Sequence, residues 1–135
     1  MSFFLGAFEP EARTFHYVID GHNPPYLRTP DGAVHHLPKT GPVLGVLEDA
    51  AYQASAPYDL ASGTVLMLYT DGIYEAQDEG GDMYGEERLE ASFAAHADGG
   101  GSAQAVLEGV LGDLKAFVGA QPFDDDVTCL VLRVL

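Results

Sequence analysis

Two stretches of this chain are apolar without alternation: Val65-Leu66-Met67-Leu68-Tyr69, and Cys129 to Leu135, broken only by Arg133. A strand with one face in water alternates, so both runs predict strands with both faces covered. Each run abuts an acidic turn. Thr70-Asp71-Gly72 follows the first, and Asp124-Asp125-Asp126 precedes the second. If the two strands are antiparallel neighbours, the end of one lies beside the start of the other. Asp71 and Asp125 then meet at one rim of a sheet. Carboxylates gathered there resist joint ionisation unless a cation intervenes. Oxygen donors of this kind select hard ions such as Mg²⁺ or Mn²⁺. Turn chemistry accounts for the same residues, because Asp-Gly is a common turn pair and an Asp triplet suits a solvated loop. Spacing alone leaves both readings open.

The rest of the chain supplies short strands first and helices later. Ser2 to Phe8 and Thr14 to Ile19 predict a hairpin, as do Tyr26 to Thr29 and Ala33 to Leu37 around Pro30-Asp31-Gly32. Asp20-Gly21-His22-Asn23-Pro24-Pro25 between them is a dense turn signal. Lys39 to Gly45 reads as a loop, and the weak alternation of Ala51 to Tyr58 as a strand. Glu86 to Ala97 and Ser102 to Gly119 read as helices, the second with Ser102 as N-cap. In that second helix Val106, Leu107, Val110, Leu111, Leu114, Phe117 and Val118 share an arc of about 140°. That face should cover a sheet. Ala105, Gly109, Gly112 and Ala116 lie opposite, either against a close second helix or in solvent. No repeat or linker divides the chain. The fold class expected is α+β, mostly antiparallel, with outer helices.

Charge narrows the function. Six Lys plus Arg stand against 21 Asp plus Glu, a net charge of −15. Such a surface repels nucleic acid. The single cysteine, Cys129, excludes an internal disulfide and sits in an apolar run as a core residue rather than a nucleophile. No basic, apolar leader opens the chain and no run of about 18 apolar residues could span a membrane, so a cytoplasmic location is expected. His35 and His36 are adjacent and would face opposite sides of a strand. His16, His22 and His96 show no zinc spacing, and His22 is expected to hydrogen-bond within its turn.

Four segments resemble a known family in its own order. Leu68-Tyr69-Thr70-Asp71-Gly72-Ile73-Tyr74-Glu75-Ala76 is similar to the LYTDGV-x-EA motif of PPM-type metal-dependent protein serine phosphatases. The branch is that of stage II sporulation protein E and stress-response sigma-factor regulators. Met83 to Leu89 is similar to its "fGeerL" segment, Asp125-Asp126-Val127-Thr128 to its DD-x-T strand, and Gly21-His22-Asn23-Pro24-Pro25 to its AGHNPP turn, with Asp20 in place of Ala. The resemblance implies an α/β/β/α sandwich, of which residues 1–135 form one partial, C-terminal portion. It implies a two-metal Mn²⁺ or Mg²⁺ centre that activates water, with Asp71 and Asp125 as metal ligands and hence the catalytic carboxylates. Gly72 would let the backbone turn tightly, and Asp126 and Thr128 would shape the closing turn. Glu75 and Asp124 receive no role. The implied substrate is a phosphoserine regulatory protein, such as an anti-sigma-factor antagonist. The family's bridging aspartate lies in an earlier half that has no counterpart upstream of Gly21. Asp20-Gly21-His22 imitates that motif, but Asn23-Pro24-Pro25 makes Asp20 a turn residue. The partners implied are therefore the upstream half of the domain and a sensor domain. A degenerate, non-catalytic interaction module is the alternative.

Overall fold

The computed structural model describes residues 2–43 and 45–135. The two predicted hairpins form. Strand β1 (Phe3–Glu9) pairs antiparallel with β2 (Thr14–Asp20), from Phe3 opposite Asp20 to Glu9 opposite Thr14. Strand β3 (Tyr26–Arg28) pairs with β4 (Val34–His36). The first hairpin joins β5 (Tyr58–Asp59) in a sheet of order β1-β2-β5. The second joins β6 (Val65–Tyr69) and β7 (Cys129–Arg133) in a sheet of order β4-β3-β6-β7. All of these pairings are antiparallel. Between β6 and β7 the chain makes a single helical turn, α1 (Asp71–Tyr74), and two longer helices, α2 (Gly85–Ala97) and α3 (Ala103–Val118).

The packing yields three layers. Phe15, Tyr17 and Ile19 of the first sheet meet Leu27 and Leu66 of the second. On the other face of the second sheet, Tyr26, Val65, Met67 and Tyr69 meet Leu89 and Phe93 of α2 and Val106, Val110 and Leu114 of α3. Strand β6 thus feeds alternate side chains into two cores, which is why its sequence does not alternate. The α+β class and the antiparallel sandwich with outer helices follow the expectation. Among the described residues, helices cover only the second sheet.

Strand β7 departs from its predicted burial. Cys129 and Val131 face the helical core, but Leu130 and Leu132 remain 48% and 39% exposed. Strand β7 lies at the sheet edge, and the first sheet, with three strands against four, is too narrow to cover it. Cys129 behaves as a core residue: burial pushes its thiol up to about 11, away from reactivity.

Helix α3 buries Val106, Val110, Leu114 and Val118, with Leu111 and Phe117 packed against the same core. Ser102 Oγ accepts a hydrogen bond from Ala105 N at 3.1 Å, capping the helix as predicted. The small-residue stripe divides. A Cβ on Gly109 would collide with the His96 ring, so glycine there admits α2, whereas Gly112 faces open space. Ser92 Oγ donates to Asp113 Oδ2 at 2.6 Å, and His96 Nε2 lies 2.9 Å from the same oxygen, clamping α2 to α3.

The predicted strand at Ala51 to Tyr58 does not form; only Tyr58 and Asp59 pair. The segment before it is tied to β2 at two points instead. Thr40 Oγ1 accepts from Ile19 N at 2.8 Å, and Ser55 Oγ accepts from Tyr17 N at 3.1 Å while Ser55 N donates to Tyr17 O at 2.8 Å. Side-chain oxygens here replace the ladder that weak alternation suggested. Gly45 to Asp49 and Ala51 to Ala54 are exposed. Among the described residues no helix is long and apolar enough to cross a membrane.

Candidate metal centre at the sheet rim

The β6–β7 ladder ends with Tyr69 opposite Cys129. Beyond it, Thr70 N donates to Thr128 O at 3.1 Å. The Thr70 side chain then ties the two acidic turns together. Its Oγ1 accepts from Thr128 N at 3.0 Å and donates to Asp126 O at 3.0 Å. The antiparallel pairing therefore brings both acidic turns to the same rim. Asp126 and Thr128 take part through their backbones, as turn-shaping residues do.

Gly72 has a different reason to be glycine than the tight turn expected. It lies inside α1, and its φ is not in the positive range. A Cβ there would stand 2.6 Å from Asp126 O. The absent side chain lets the Asp125-Asp126 turn sit directly on α1.

Each carboxylate is partly occupied by its own turn. Asp71 Oδ1 accepts from Gly72 N at 3.1 Å, and Asp125 Oδ1 accepts from Asp126 N at 2.7 Å. Asp71 opens into a crevice with Ser2, Gly21, His22, Asn23 and Thr70. Asp125 opens into another with Asp124, Glu75, Gln77 and Met83. Glu75 and Asp124, without a role in the sequence, thus share a cleft with Asp125. Tyr74 hydroxyl reaches Asn23 Oδ1 at 3.4 Å, joining α1 to the Gly21–Pro25 turn. The His22 ring makes no hydrogen bond within its turn among the described residues, contrary to expectation. Burial pushes its pKa down while the nearby Asp71 charge opposes the shift.

The donor chemistry fits a hard divalent cation: three carboxylates, Glu75, Asp124 and Asp125, line one cleft, and Asp71 stands with the oxygen-bearing Ser2, Asn23 and Thr70 in the other. The donor count does not complete a shell. Among the described residues, no three Asp, Glu, His or Cys side chains converge as a ligand set. Asp20, the aspartate nearest the Gly21–Pro25 turn, is no surface turn residue. It closes β2, is fully buried, and both of its carboxylate oxygens lack a partner among the described residues. A Cβ on Gly41 would lie 2.5 Å from its Oδ1. No sequence signal near Asp20 announces this, because the residue that closes on its Oδ1 is the distant Gly41.

A family model described as Stage II sporulation protein E (SpoIIE) matches residues 1–135. The chain belongs to the SpoIIE family. Among curated proteins, Protein IcfG of Synechocystis sp. (strain ATCC 27184 / PCC 6803 / Kazusa) is 23% identical over 133 residues, covering 96% of this chain and 20% of its own length. The solved SiaA-PP2C domain of Pseudomonas aeruginosa superposes with a TM-score of 0.76 at 23% identity, over 96% of this chain and 50% of that one. The Mn-presoaked phosphatase domain of the cell fate determinant SpoIIE from Bacillus subtilis gives 0.70 at 14% identity, over 98% of this chain and 56% of that one. These likenesses establish a PP2C-like fold. The chain spans about half the length of these solved family domains and a fifth of the curated relative.

Proposed function

We propose that the chain is the C-terminal portion of a metal-dependent protein serine phosphatase domain. In this reading it acts on a cytoplasmic phosphoserine regulatory protein of the anti-sigma-factor-antagonist type. The observation that carries the reading is the Thr70 link, which joins the Asp71 and Asp125 turns at one rim in a member of this family. Asp71 and Asp125 would hold Mn²⁺ or Mg²⁺. Thr70 and Gly72 fix the separation of their turns, and the other ligands come from an upstream half of the domain. A bound divalent cation supplies Lewis acidity to the phosphoryl group and its attacking water. Glu75 and Asp124 add negative potential that draws cations to the cleft. A non-catalytic, phosphatase-like interaction module is the second reading, favoured by the incomplete donor set.

The test is a calorimetric Mn²⁺ titration with a phosphate-release assay, on this chain and on a polypeptide that adds an upstream half. The short chain should bind Mn²⁺ weakly and release little phosphate. The longer one should bind more tightly and hydrolyse a phosphoserine substrate. In it, Asp71→Asn and Asp125→Asn should each lower the rate by about 100-fold or more with the fold intact. Undiminished rates would remove both residues from the site. Tight metal binding with no hydrolysis would favour the module.

A further inference from the structure

A phosphoryl group beside Asp71 needs hydrogen-bond donors to its oxygens as well as a cation. Two side chains of that crevice have no proton to offer. Asp71 is a carboxylate and only accepts. Thr70 gives its one hydroxyl proton to Asp126 O at 3.0 Å. The side-chain donors that remain are the Ser2 hydroxyl, the His22 ring and the Asn23 amide. The amide is the one that the described residues orient.

Asn23 Oδ1 accepts from the Tyr74 hydroxyl at 3.4 Å. With its oxygen turned to α1, the amide has both N–H groups of Nδ2 left to donate. The Tyr74 ring stands edge-on to Tyr69, with 6.3 Å between centroids and 86° between planes, and Tyr69 is buried in β6. The backbone is set as well. Asn23 precedes Pro24, which favours an extended conformation, and Pro25 O accepts from Leu37 N at 2.9 Å. All of these contacts lie between Asn23 and Asp126.

We infer that Asn23 binds the phosphoryl group of the substrate, its Nδ2 donating to a phosphoryl oxygen, and that Tyr74 is the positioning residue that turns the amide that way. This rests on the phosphatase reading and adds to it a residue that touches the substrate. The Tyr74 bond also occupies Oδ1, the one atom of Asn23 that could ligate a cation. Asn23 therefore contributes to phosphate affinity and not to Mn²⁺ affinity.

Calorimetric titration of inorganic phosphate into the Mn²⁺-saturated polypeptide that includes an upstream half tests it, beside a Mn²⁺ titration of the same protein. The variants are Asn23→Ala, Tyr74→Phe, the two combined, and Asp71→Asn, with circular dichroism to verify the fold. Asn23→Ala should weaken phosphate binding about tenfold or more, as loss of a hydrogen bond to a charged group does, and leave Mn²⁺ affinity unchanged. Tyr74→Phe should weaken it by about twofold to tenfold. In the Asn23→Ala background it should add nothing, because it acts through that amide. A general loosening of the crevice would instead add its effect in both backgrounds and lower Mn²⁺ affinity too. A wild type that binds no phosphate, or binds it no better than Asn23→Ala, overturns the inference. So does a Tyr74→Phe effect that persists without Asn23, or a Mn²⁺ affinity that falls with Asn23→Ala. Asp71→Asn tells these failures from that of the phosphatase reading: if Mn²⁺ binding is indifferent to Asp71→Asn, the reading falls and this inference falls with it.

Discussion

At the scale of single residues, Asp20 and Gly72 show what local sequence conveys and what it hides. The placement of Asp71 and Asp125 was legible, because the turn after one strand and the turn before its antiparallel neighbour must arrive at one rim. Asp20 was not, since Asp before Gly reads as a turn whatever later folds over it. Burying a carboxylate without a partner destabilises. Asp20→Ala, which restores the residue of the AGHNPP motif, should therefore raise stability by about 1–3 kcal/mol in urea unfolding. A loss of stability would mean that Asp20 is engaged by a partner. Gly72→Ala should do the opposite. Its Cβ would press on Asp126 O and cost about 1–3 kcal/mol, and it should weaken Mn²⁺ binding by moving the Asp125 turn. Equal Mn²⁺ affinity in wild type and variant would separate Gly72 from the site.

At the scale of elements, helices were read more accurately than edges. The apolar arc of α3 found its core, because a 3.6-residue period specifies one face without help from distant residues. Leu114 is fully buried, so Leu114→Ala should cost about 2–5 kcal/mol. A loss under about 0.5 kcal/mol, typical of surface positions, would mean that this face is not the packed one. The α2–α3 clamp was not legible, since Ser92, His96 and Asp113 carry no pattern until the helices cross. The Ser92 hydroxyl, burial opposing it and His96 assisting, holds the Asp113 carboxyl below its usual value. A folded-state pKa depressed in this way contributes stability above the unfolded value near 3.8, and that contribution is lost as pH falls through the folded one. Ser92→Ala should remove the hydrogen bond and flatten this acid-side loss. Its cost should lie near the low end of about 0.5–1.5 kcal/mol, since Asp113 is half exposed. Acid titration of the melting temperature of both proteins checks the slope. Strand β7 was misjudged because a continuous apolar run does not reveal whether a second sheet is wide enough to cover it.

For the molecule as a whole, class and layer order were legible while the sheet that the helices cover was not. The motifs pointed to a two-sheet sandwich with outer helices. That the described helices all pack on the second sheet was not legible, because helical periodicity names a buried face without naming the sheet that it meets. The excess of acidic residues acts on the whole fold: self-repulsion at −15 should make the melting temperature rise with monovalent salt as screening increases. A salt-independent melt would mean that the charges are already paired. The long segment before β5, moored to β2 near Thr40 and Ser55, has a further consequence. Its largely exposed stretch from Gly45 to Ala54 is where a protease should cut first. The cut would separate β1 to β4 from everything that follows, yet β2 would still hold β5 and β3 would still hold β6. Brief digestion should therefore yield two fragments that migrate together under native conditions and part only in denaturant, a protein divided in its covalent chain but not in its fold.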